Sequence, residues 1–307
     1  METDSTDRAG STPPRRSFGR TLILFLIGVG ILLGVSTGIL SLLPDEVTAR
    51  NNRIALVEVR GMITDSREVV RQLLEYKDDQ NVRGIILRID SPGGAVAPSQ
   101  EIYSAVLKVR KSQKKIFASL GSVAASGGYY IASPADYIFA NPGTLTGSIG
   151  VIMAFSNVQE LIGKIGIRPE IIKSGKFKDA GSPVRPISKE ERKLLQNLVD
   201  DVHQQFIQDV AQGRNLPVGT VKSLADGRIF TGRQALEMKM VDQLGGLQDT
   251  IDLLAEQAGI HGRPKIIQEE KSLRFLDWLL QASIARKITE SLDPSSFSPL
   301  QYLWKIQ

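Results

Sequence analysis

Short apolar segments with strand spacing alternate along the chain with segments whose apolar residues have helical spacing. Arg53–Val59 and Gly84–Ile89 are compact apolar runs that predict two strands, the second of them buried on both faces. Between them, Ser66–Tyr76 carries apolar residues three and four positions apart, which predicts a helix. The order strand, helix, strand is typical of the start of a parallel sheet covered by helices.

The same alternation continues through most of the remaining chain. It predicts helices at 98–111, directly after Ser126, at 158–165 and at 188–211, and strands at 116–120, 137–140 and 169–173. Ser188 and Glu191 have the spacing of a capping box at the start of the long helix. We therefore expect residues 53–265 to form an α/β domain of repeated β-α units with a mostly parallel sheet.

A longer apolar run precedes this domain. Residues 21–43 are 23 residues without a charge. A helix of that length, roughly 34 Å, crosses a hydrocarbon layer of about 30 Å. The run therefore predicts one N-terminal transmembrane helix. The alternative is a signal peptide cleaved near Ser36-Thr37-Gly38, where small residues are spaced like a weak cleavage site.

The charges that flank the apolar run predict its orientation. Three arginines lie in the polar tail, residues 1–20, just before the run, whereas Asp45 and Glu46 open the linker, residues 44–52. Because positive charge is retained on the cytoplasmic side, we expect a single-pass protein with a cytoplasmic N-terminus. The domain at 53–265 is then extracytoplasmic.

Residues 266–307 form a C-terminal appendage in this division of the chain. They contain both tryptophans and an apolar stripe at helical spacing, made of Leu273, Leu276, Leu280, Ile284 and Ile288. Such stripes usually pack on the parent domain, and the alternative is contact with a membrane surface.

Composition excludes several kinds of chemistry. The chain has no cysteine, which rules out disulfides, a thiolate nucleophile and cysteine-ligated metals. It has only two histidines, His203 and His261, with no acidic or histidine cluster at ligand spacing, so we expect no metal and no cofactor. The net charge of +5 is scattered, so we expect no nucleic-acid partner.

Three glycine-marked stretches are the candidates for chemistry. They are Asp90–Gly94, Ala124–Gly128 and Thr146–Gly150, and two of them follow strands, where parallel sheets bind ligands. Ser126 lies at a strand-to-helix turn before two glycines, so its hydroxyl is open to a carbonyl group and helix-start amides face the developing oxyanion. Taken singly, such glycines are more often plain turn formers.

A serine nucleophile needs a base, and both histidines have a poor context, so lysine is the alternative. A free lysine, with a pKa of about 10.4, is almost entirely charged at pH 7, and burial would have to lower that pKa by about 3. Lys176 and Lys178 both follow a predicted strand. Spacing does not choose between them, because residues i and i+2 of an extended chain face the same way.

The motifs together resemble those of the signal peptide peptidase A family, in its short form with one catalytic domain. The resemblance covers roughly residues 53–255, and the motifs occur in the family's order and spacing. The matching segments are Leu87–Gly94, Ala124–Asp136, Leu145–Val151, Asp226–Ala235 and Val241–Gly245.

The resemblance implies a Ser/Lys endopeptidase on a fold similar to Clp protease and crotonase. It implies that Ser126 is the nucleophile and Lys178 the general base, that Ser148 orients the base, and that Gly94 and Gly127 donate to the oxyanion. The implied substrates are released signal peptides and other apolar or membrane-proximal polypeptides. We expect small or aliphatic residues next to the cut.

Ser126 and Lys178 lie 52 residues apart, so nothing local forces them together in one chain. We expect a closed homo-oligomeric ring in which one protomer's lysine serves its neighbour's serine. Two other classes of protein remain as alternatives. A crotonase-like acyl-CoA enzyme would share the fold but has no use for the Ser/Lys pair, and a membrane-anchored scaffold would lack catalysis.

Overall fold

The computed structural model describes residues 25–35, 52–269 and 301–303. The chain divides into two compact units, Met1–Ala49 and Arg50–Gln307. In the first unit, residues 25–35 form helix α1, whose apolar side chains are exposed. Among the described residues, no helix has both the length and the apolar character to cross a membrane. The rest of the predicted span, 21–24 and 36–43, lies outside the described residues.

The second unit begins with the predicted alternation of strands and helices. The elements as far as the third glycine-marked stretch are β1 (Arg53–Arg60), α2 (Arg67–Asp78), β2 (Val82–Ser91), β3 (Gly93–Ala95), α3 (Val96–Lys111), β4 (Lys115–Ala125), α4 (Gly127–Ala132), β5 (Tyr137–Ala140) and β6 (Leu145–Gly147).

Later elements are shorter, apart from one long helix. They are α5 (Gln159–Lys164), α6 (Lys189–Arg214), α7 (Val218–Leu224), β7 (Ile229–Thr231), α8 (Gly232–Glu237), β8 (Gln243–Leu244), α9 (Leu247–Gln257), β9 (Lys265–Ile267) and β10 (Gln301–Leu303). Ser188 caps α6, and its side chain and that of Glu191 form the predicted capping box.

The main sheet is mostly parallel, which confirms the α/β fold predicted for the domain. Its strands run in the order β7-β6-β4-β2-β1-β9, with β5 on β4 and β8 on β5. Among the described strands of this sheet, only the pair of β6 with β7 is antiparallel. The central strands β2 and β4 are largely buried, as expected for a sheet with helices on its faces.

Strand β4 is longer than predicted and carries the chain to the site. Its first part pairs with β5 and its last residues pair with β6. The predicted end at Leu120 was wrong because Gly121 does not break the strand. A Cβ on Gly121 would lie 2.9 Å from the Asp90 side chain, so glycine is the residue that lets β2 approach β4 here.

The predicted strand at 169–173 is not formed. These residues are irregular, and Ile172 is fully exposed. The apolar pair Ile171-Ile172 imitates a strand in the sequence, but no described strand of this chain pairs with it.

Two short strands from the C-terminal part of the chain pair with strands of the domain. β9 extends the main sheet beside β1, across the expected boundary at residue 265. β10 pairs antiparallel with β3, with Tyr302 opposite Gly94. The helical stripe predicted between Leu273 and Ile288 lies outside the described residues.

Candidate functional site

Ser126 lies where β4 ends and α4 begins, as the N-terminal cap of that helix. Its backbone angles, φ 55° and ψ −118°, lie in a region that non-glycine residues rarely occupy. Only 1% of the residue is exposed. A strained serine at a sharp strand-to-helix turn is the geometry that presents a nucleophilic hydroxyl at the edge of a sheet.

The two glycines after Ser126 allow this turn to pack closely. A Cβ on Gly127 would lie 2.9 Å from the Ser99 hydroxyl oxygen and 3.2 Å from the Gly94 amide nitrogen. A Cβ on Gly128 would lie 2.6 Å from the Ser91 carbonyl oxygen. Close approach, and not turn formation alone, therefore requires these glycines.

Gly94 lies between Ile63 on one side and Tyr302 on the other. The Ala95 amide donates to the Ile63 carbonyl at 2.7 Å, and the Ile63 amide donates to the Gly93 carbonyl at 2.9 Å. Because hydrogen-bonding groups alternate along a strand, the Gly94 amide points the other way, toward Tyr302.

The Tyr302 carbonyl oxygen lies beside the amides that the sequence predicts as oxyanion donors. A Cβ built on Gly93 would lie 2.1 Å from that oxygen and 2.7 Å from the Gly127 amide nitrogen. The carbonyl and the amide thus lie on the same side of Gly93. The structure therefore places Gly94 and a peptide carbonyl beside Gly127, the residue that follows Ser126.

The Tyr302 side chain fills an aromatic pocket and is fully buried. Its ring centroid lies 5.1 Å from that of Tyr130 and 4.6 Å from that of Phe206. Its hydroxyl lies 3.5 Å from the Val202 carbonyl oxygen on α6. The side chain that this pocket holds, a tyrosine, is larger than the small or aliphatic residues expected next to the cut from the sequence.

Asp209 forms the polar end of this pocket. The Tyr130 hydroxyl donates to its carboxylate and the Tyr103 hydroxyl donates to its backbone carbonyl. Burial raises the pKa of the Asp209 carboxyl above its usual range. Burial also raises the pKa of Tyr302, with a further contribution from the Asp209 charge, so the phenol remains protonated.

Ser148 follows β6 and is also in a left-handed conformation, with φ 52°. It is 6% exposed, and its amide donates to the Arg228 carbonyl at 2.8 Å. The Ser126 amide donates to the carbonyl of Gly147, the residue before Ser148. The two serines are therefore held on adjacent turns.

Lys178 lies on an irregular, exposed loop between α5 and α6. Its amide donates to the Gly175 carbonyl at 3.1 Å. Within residues 52–269, no hydrogen bond joins Lys178 to Ser126 or Ser148. The structure thus brings Ser126, Ser148, Gly94 and Gly127 together, whereas Lys178 belongs to a separate exposed loop.

Sequence reasoning missed the aromatic pocket and the peptide segment in it. Tyr103, Tyr130 and Phe206 come from three helices, and Tyr302 lies far along the chain, so their spacing gives no signal. Among the described residues, no group of histidine, aspartate and glutamate side chains could hold a metal ion.

Two family models match the chain. The model described as peptidase family S49 matches residues 108–261, and the Clp protease model matches residues 47–143. Together they span both the serine turn and the lysine loop.

Several known proteins are similar to the chain. A protein named as a protease in Synechocystis is 46% identical over 69% of this chain and 77% of its own length. One named as a signal peptide peptidase SppA in Enterococcus faecium is 39% identical over 69% and 65% of the two chains. One named as a protease in Methanocaldococcus jannaschii is 34% identical over 74% of each.

Proposed function

The chain belongs to peptidase family S49, as a serine protease of the signal peptide peptidase A type, and we propose that it is a membrane-anchored endopeptidase with a Ser126–Lys178 dyad. The observation that carries the proposal is the Tyr302 carbonyl beside the Gly94 and Gly127 amides, directly next to the strained Ser126 turn. Residues 301–303 lie there as an extended peptide substrate would.

The proposed reaction is acyl transfer followed by hydrolysis. Lys178 Nζ, in its neutral form, takes the proton of the Ser126 hydroxyl while the hydroxyl oxygen attacks the peptide carbonyl. The Gly94 and Gly127 amides stabilise the oxyanion that forms. The ammonium group then gives the proton to the leaving amine as the peptide bond breaks, and a water molecule hydrolyses the acyl-enzyme by the same route.

Ser148 has the proposed role of orienting the base. It is buried on the turn beside Ser126, so its hydroxyl is available to accept a hydrogen bond from an incoming lysine. In this role it fixes the direction of the ammonium group, whereas Ser126 forms the covalent bond.

The lysine loop supports a dyad completed between protomers. Lys178 is exposed in the single chain, whereas a lysine base has to be covered to become neutral near pH 7. The surrounding segment also exposes large apolar side chains, which a second copy of this chain would cover. They are Ile152, Phe155, Leu161, Ile165, Ile167, Ile171, Ile172 and Phe177.

Mixing two inactive variants tests this arrangement. Ser126→Ala and Lys178→Ala proteins are unfolded, mixed in equal amounts and reassembled. Random placement joins an intact serine to an intact lysine at about one interface in four, so roughly a quarter of wild-type activity should return. Co-assembled mixtures that remain inactive would place the dyad within one chain.

The proposed substrates are signal peptides and other apolar polypeptides near a membrane. The apolar run at 21–43 supports a membrane anchor, since its length matches a hydrocarbon layer. The anchor, with the N-terminus in the cytoplasm, would hold the site on the extracytoplasmic side, where released signal peptides leave the bilayer.

The activity itself is tested with the purified full chain and an apolar signal-peptide sequence. We expect cleavage that Ser126→Ala reduces by at least about 10³-fold with an unchanged unfolding temperature. An acyl-CoA thioester serves as the alternative substrate for a crotonase-like enzyme. Turnover of the thioester without cleavage of the peptide, or neither reaction, would contradict the proposal.

A further inference from the structure

The loop that carries Lys178 has few backbone hydrogen bonds of its own. Besides the turn at Lys178, the Ala180 amide donates to the Phe177 carbonyl at 3.1 Å and the Ser182 amide to the Asp179 carbonyl at 3.0 Å. These hydrogen bonds are all within the loop, so they do not fix it to the rest of the domain.

Arg185 ties this loop to the start of α6. Its Nε donates to Asp179 Oδ2 at 2.8 Å and its Nη2 donates to the Asp179 carbonyl at 3.1 Å. Its Nη1 donates to Glu191 Oε2 at 2.9 Å, and its Nη2 also donates to Glu191 Oε1. One planar guanidinium therefore bridges the lysine turn and the helix.

The helix end of this bridge is firmly held. Glu191 is the third residue of α6 and only 4% of its side chain is exposed. Its carboxylate also accepts the Ser188 amide at 2.8 Å in the capping box. Phe206 on the same helix is fully buried, so the helix is anchored in the core.

The other end of the bridge occupies the carboxylate next to Lys178. Arg185 takes Asp179 Oδ2, and the Lys173 ammonium takes Asp179 Oδ1 at 2.5 Å. Hydrogen bonds from Arg185 first, and from Lys173 second, hold the pKa of the Asp179 carboxyl well below its usual range. The carboxylate that could most easily pair with Lys178 is thus engaged by two other cations.

The charged side chains of this loop and of the first turn of α6 are Arg168, Glu170, Lys173, Lys176, Lys178, Asp179, Arg185, Lys189, Glu190, Glu191 and Arg192. The ammonium of Lys176 lies over the Phe177 ring, 5.4 Å from its centroid. Of the four carboxylates in this group, Arg185 binds two, those of Asp179 and Glu191. An ion pair with Lys178 would hold the lysine in its charged form, which cannot accept a proton from serine.

We propose that Arg185 is a positioning residue for Lys178, which fixes the lysine turn to α6 and keeps the Asp179 carboxylate away from the lysine. This rests on the proposed role of Lys178 as the base. Neither Arg185 nor Asp179 touches the substrate in this role. The effect is to present the lysine in a fixed place without a counter-charge.

The test measures kcat, KM and the pH–activity profile of the full-length protein. In Arg185→Gln, we expect kcat to fall at least about tenfold, because the base is displaced, with KM within about twofold. Asp179 Oδ2, which Arg185 no longer binds, can then pair with Lys178 while Lys173 still holds Oδ1. The midpoint of the rising alkaline limb should therefore move up by about one pH unit. Arg185→Lys, which keeps the charge but not the fork, should show smaller changes in the same directions.

A double variant separates the two parts of the role. In Arg185→Gln/Asp179→Asn, no carboxylate is available beside Lys178, so the midpoint should return to the wild-type pH while kcat stays low. If the midpoint remains shifted in the double variant, Arg185 does not act by keeping the Asp179 carboxylate away from Lys178.

A matched control is Arg71→Gln. Arg71 also bridges several carboxylates, those of Glu68, Glu75 and Glu269, but it lies on helix α2, outside the lysine loop. It should leave kcat and the pH profile unchanged, and a change equal to that of Arg185→Gln would mean that any lost arginine network has this effect.

Failure of this inference is distinguishable from failure of the proposed function. If Lys178→Ala keeps wild-type activity, the dyad itself is wrong. If Lys178→Ala is inactive while Arg185→Gln and Arg185→Lys both match the wild type in kcat and pH profile, only the role of Arg185 is overturned. Should Arg185→Gln fail to fold, the Arg185→Lys comparison alone decides.

Discussion

The backbone amide of Ser126 donates a 2.7 Å hydrogen bond to the carbonyl oxygen of Gly147, so the strained serine turn is tied to strand β6. Gly147 itself has φ +79°, and a Cβ there would lie 2.6 Å from the Phe230 ring, which is buried. The conformation of Ser126 therefore depends on a residue outside its own motif.

Substitution of Gly147 tests this dependence. We expect Gly147→Ala to destabilise the domain by about 1–3 kcal/mol, because of its positive φ and the contact with Phe230. Peptidase activity should fall with it, since the Ser126 turn shifts. Thermal unfolding and peptide cleavage are the measurements. Gly143→Ala is the control, because Gly143 has nothing within 4 Å of its Cβ position, and equal losses in both variants would contradict the prediction.

The two candidate lysines are separated by single substitutions. Lys178→Ala should lower kcat by at least about 10²-fold through loss of the general base. Lys176→Ala should change kcat little, because its ammonium lies over the Phe177 ring in the structure. The reverse pattern would show that the resemblance chose the wrong lysine.

The segment at 301–303 pairs with β3, where we propose that a peptide substrate binds. A chain that ends at residue 300 should therefore show a several-fold lower KM for short peptides, since nothing competes at β3. A chain that ends at residue 304 keeps the segment and is the matched control. Identical KM values for the two chains would mean that the segment does not compete with substrate.

The aromatic pocket makes a prediction about the residue before the cut. Peptides with tyrosine, phenylalanine or leucine there should be cut faster than peptides with lysine or aspartate, because the rings of Tyr130 and Phe206 line the pocket. A series of peptides that differ only at this position measures kcat/KM. Preference for a charged residue would be incompatible with a site of this shape.

Acid should weaken the start of α6. Hydrogen bonds from Arg185 and the Ser188 amide lower the pKa of Glu191 to about 2, against an ordinary value of 4.5. A depressed pKa in the folded state contributes stability above pH 4.5, and that stability is lost as the pH falls toward 2. The free energy of unfolding should fall more steeply between pH 5 and 3 in the wild type than in Glu191→Gln. Equal slopes would refute the assignment.

Much of the fold follows from local pattern, but the pairing of distant short strands does not. The buried run at Gly84–Ile89 and the capping box at Ser188 were predictable, because each signal lies within a few residues. The prediction of a strand at 169–173 was wrong, because an exposed Ile171-Ile172 pair has the same local sequence pattern as a buried one. Pairing of β10 with β3 was not predictable, since three residues carry no periodicity and lie about two hundred residues from their partner.

The parts of the candidate site that lie close together in sequence could be predicted. The parts that only folding brings together could not. The glycines around Ser126 stand next to it in sequence, and the structure shows why a side chain at Gly127 or Gly128 would collide with its neighbours. Arg185 gave no such signal. Its two carboxylate partners lie six residues away on either side, and only the folded loop brings both to one guanidinium.

The strand at the peptide groove, β3, consists of Gly93, Gly94 and Ala95, which offer a partner almost nothing except main-chain hydrogen bonds. A polypeptide can accept those bonds only if its own amides and carbonyls are free along an extended stretch. Native proteins have already paired theirs within helices and sheets. We therefore expect the groove to accept unfolded or excised segments and to exclude folded proteins, whatever their side chains.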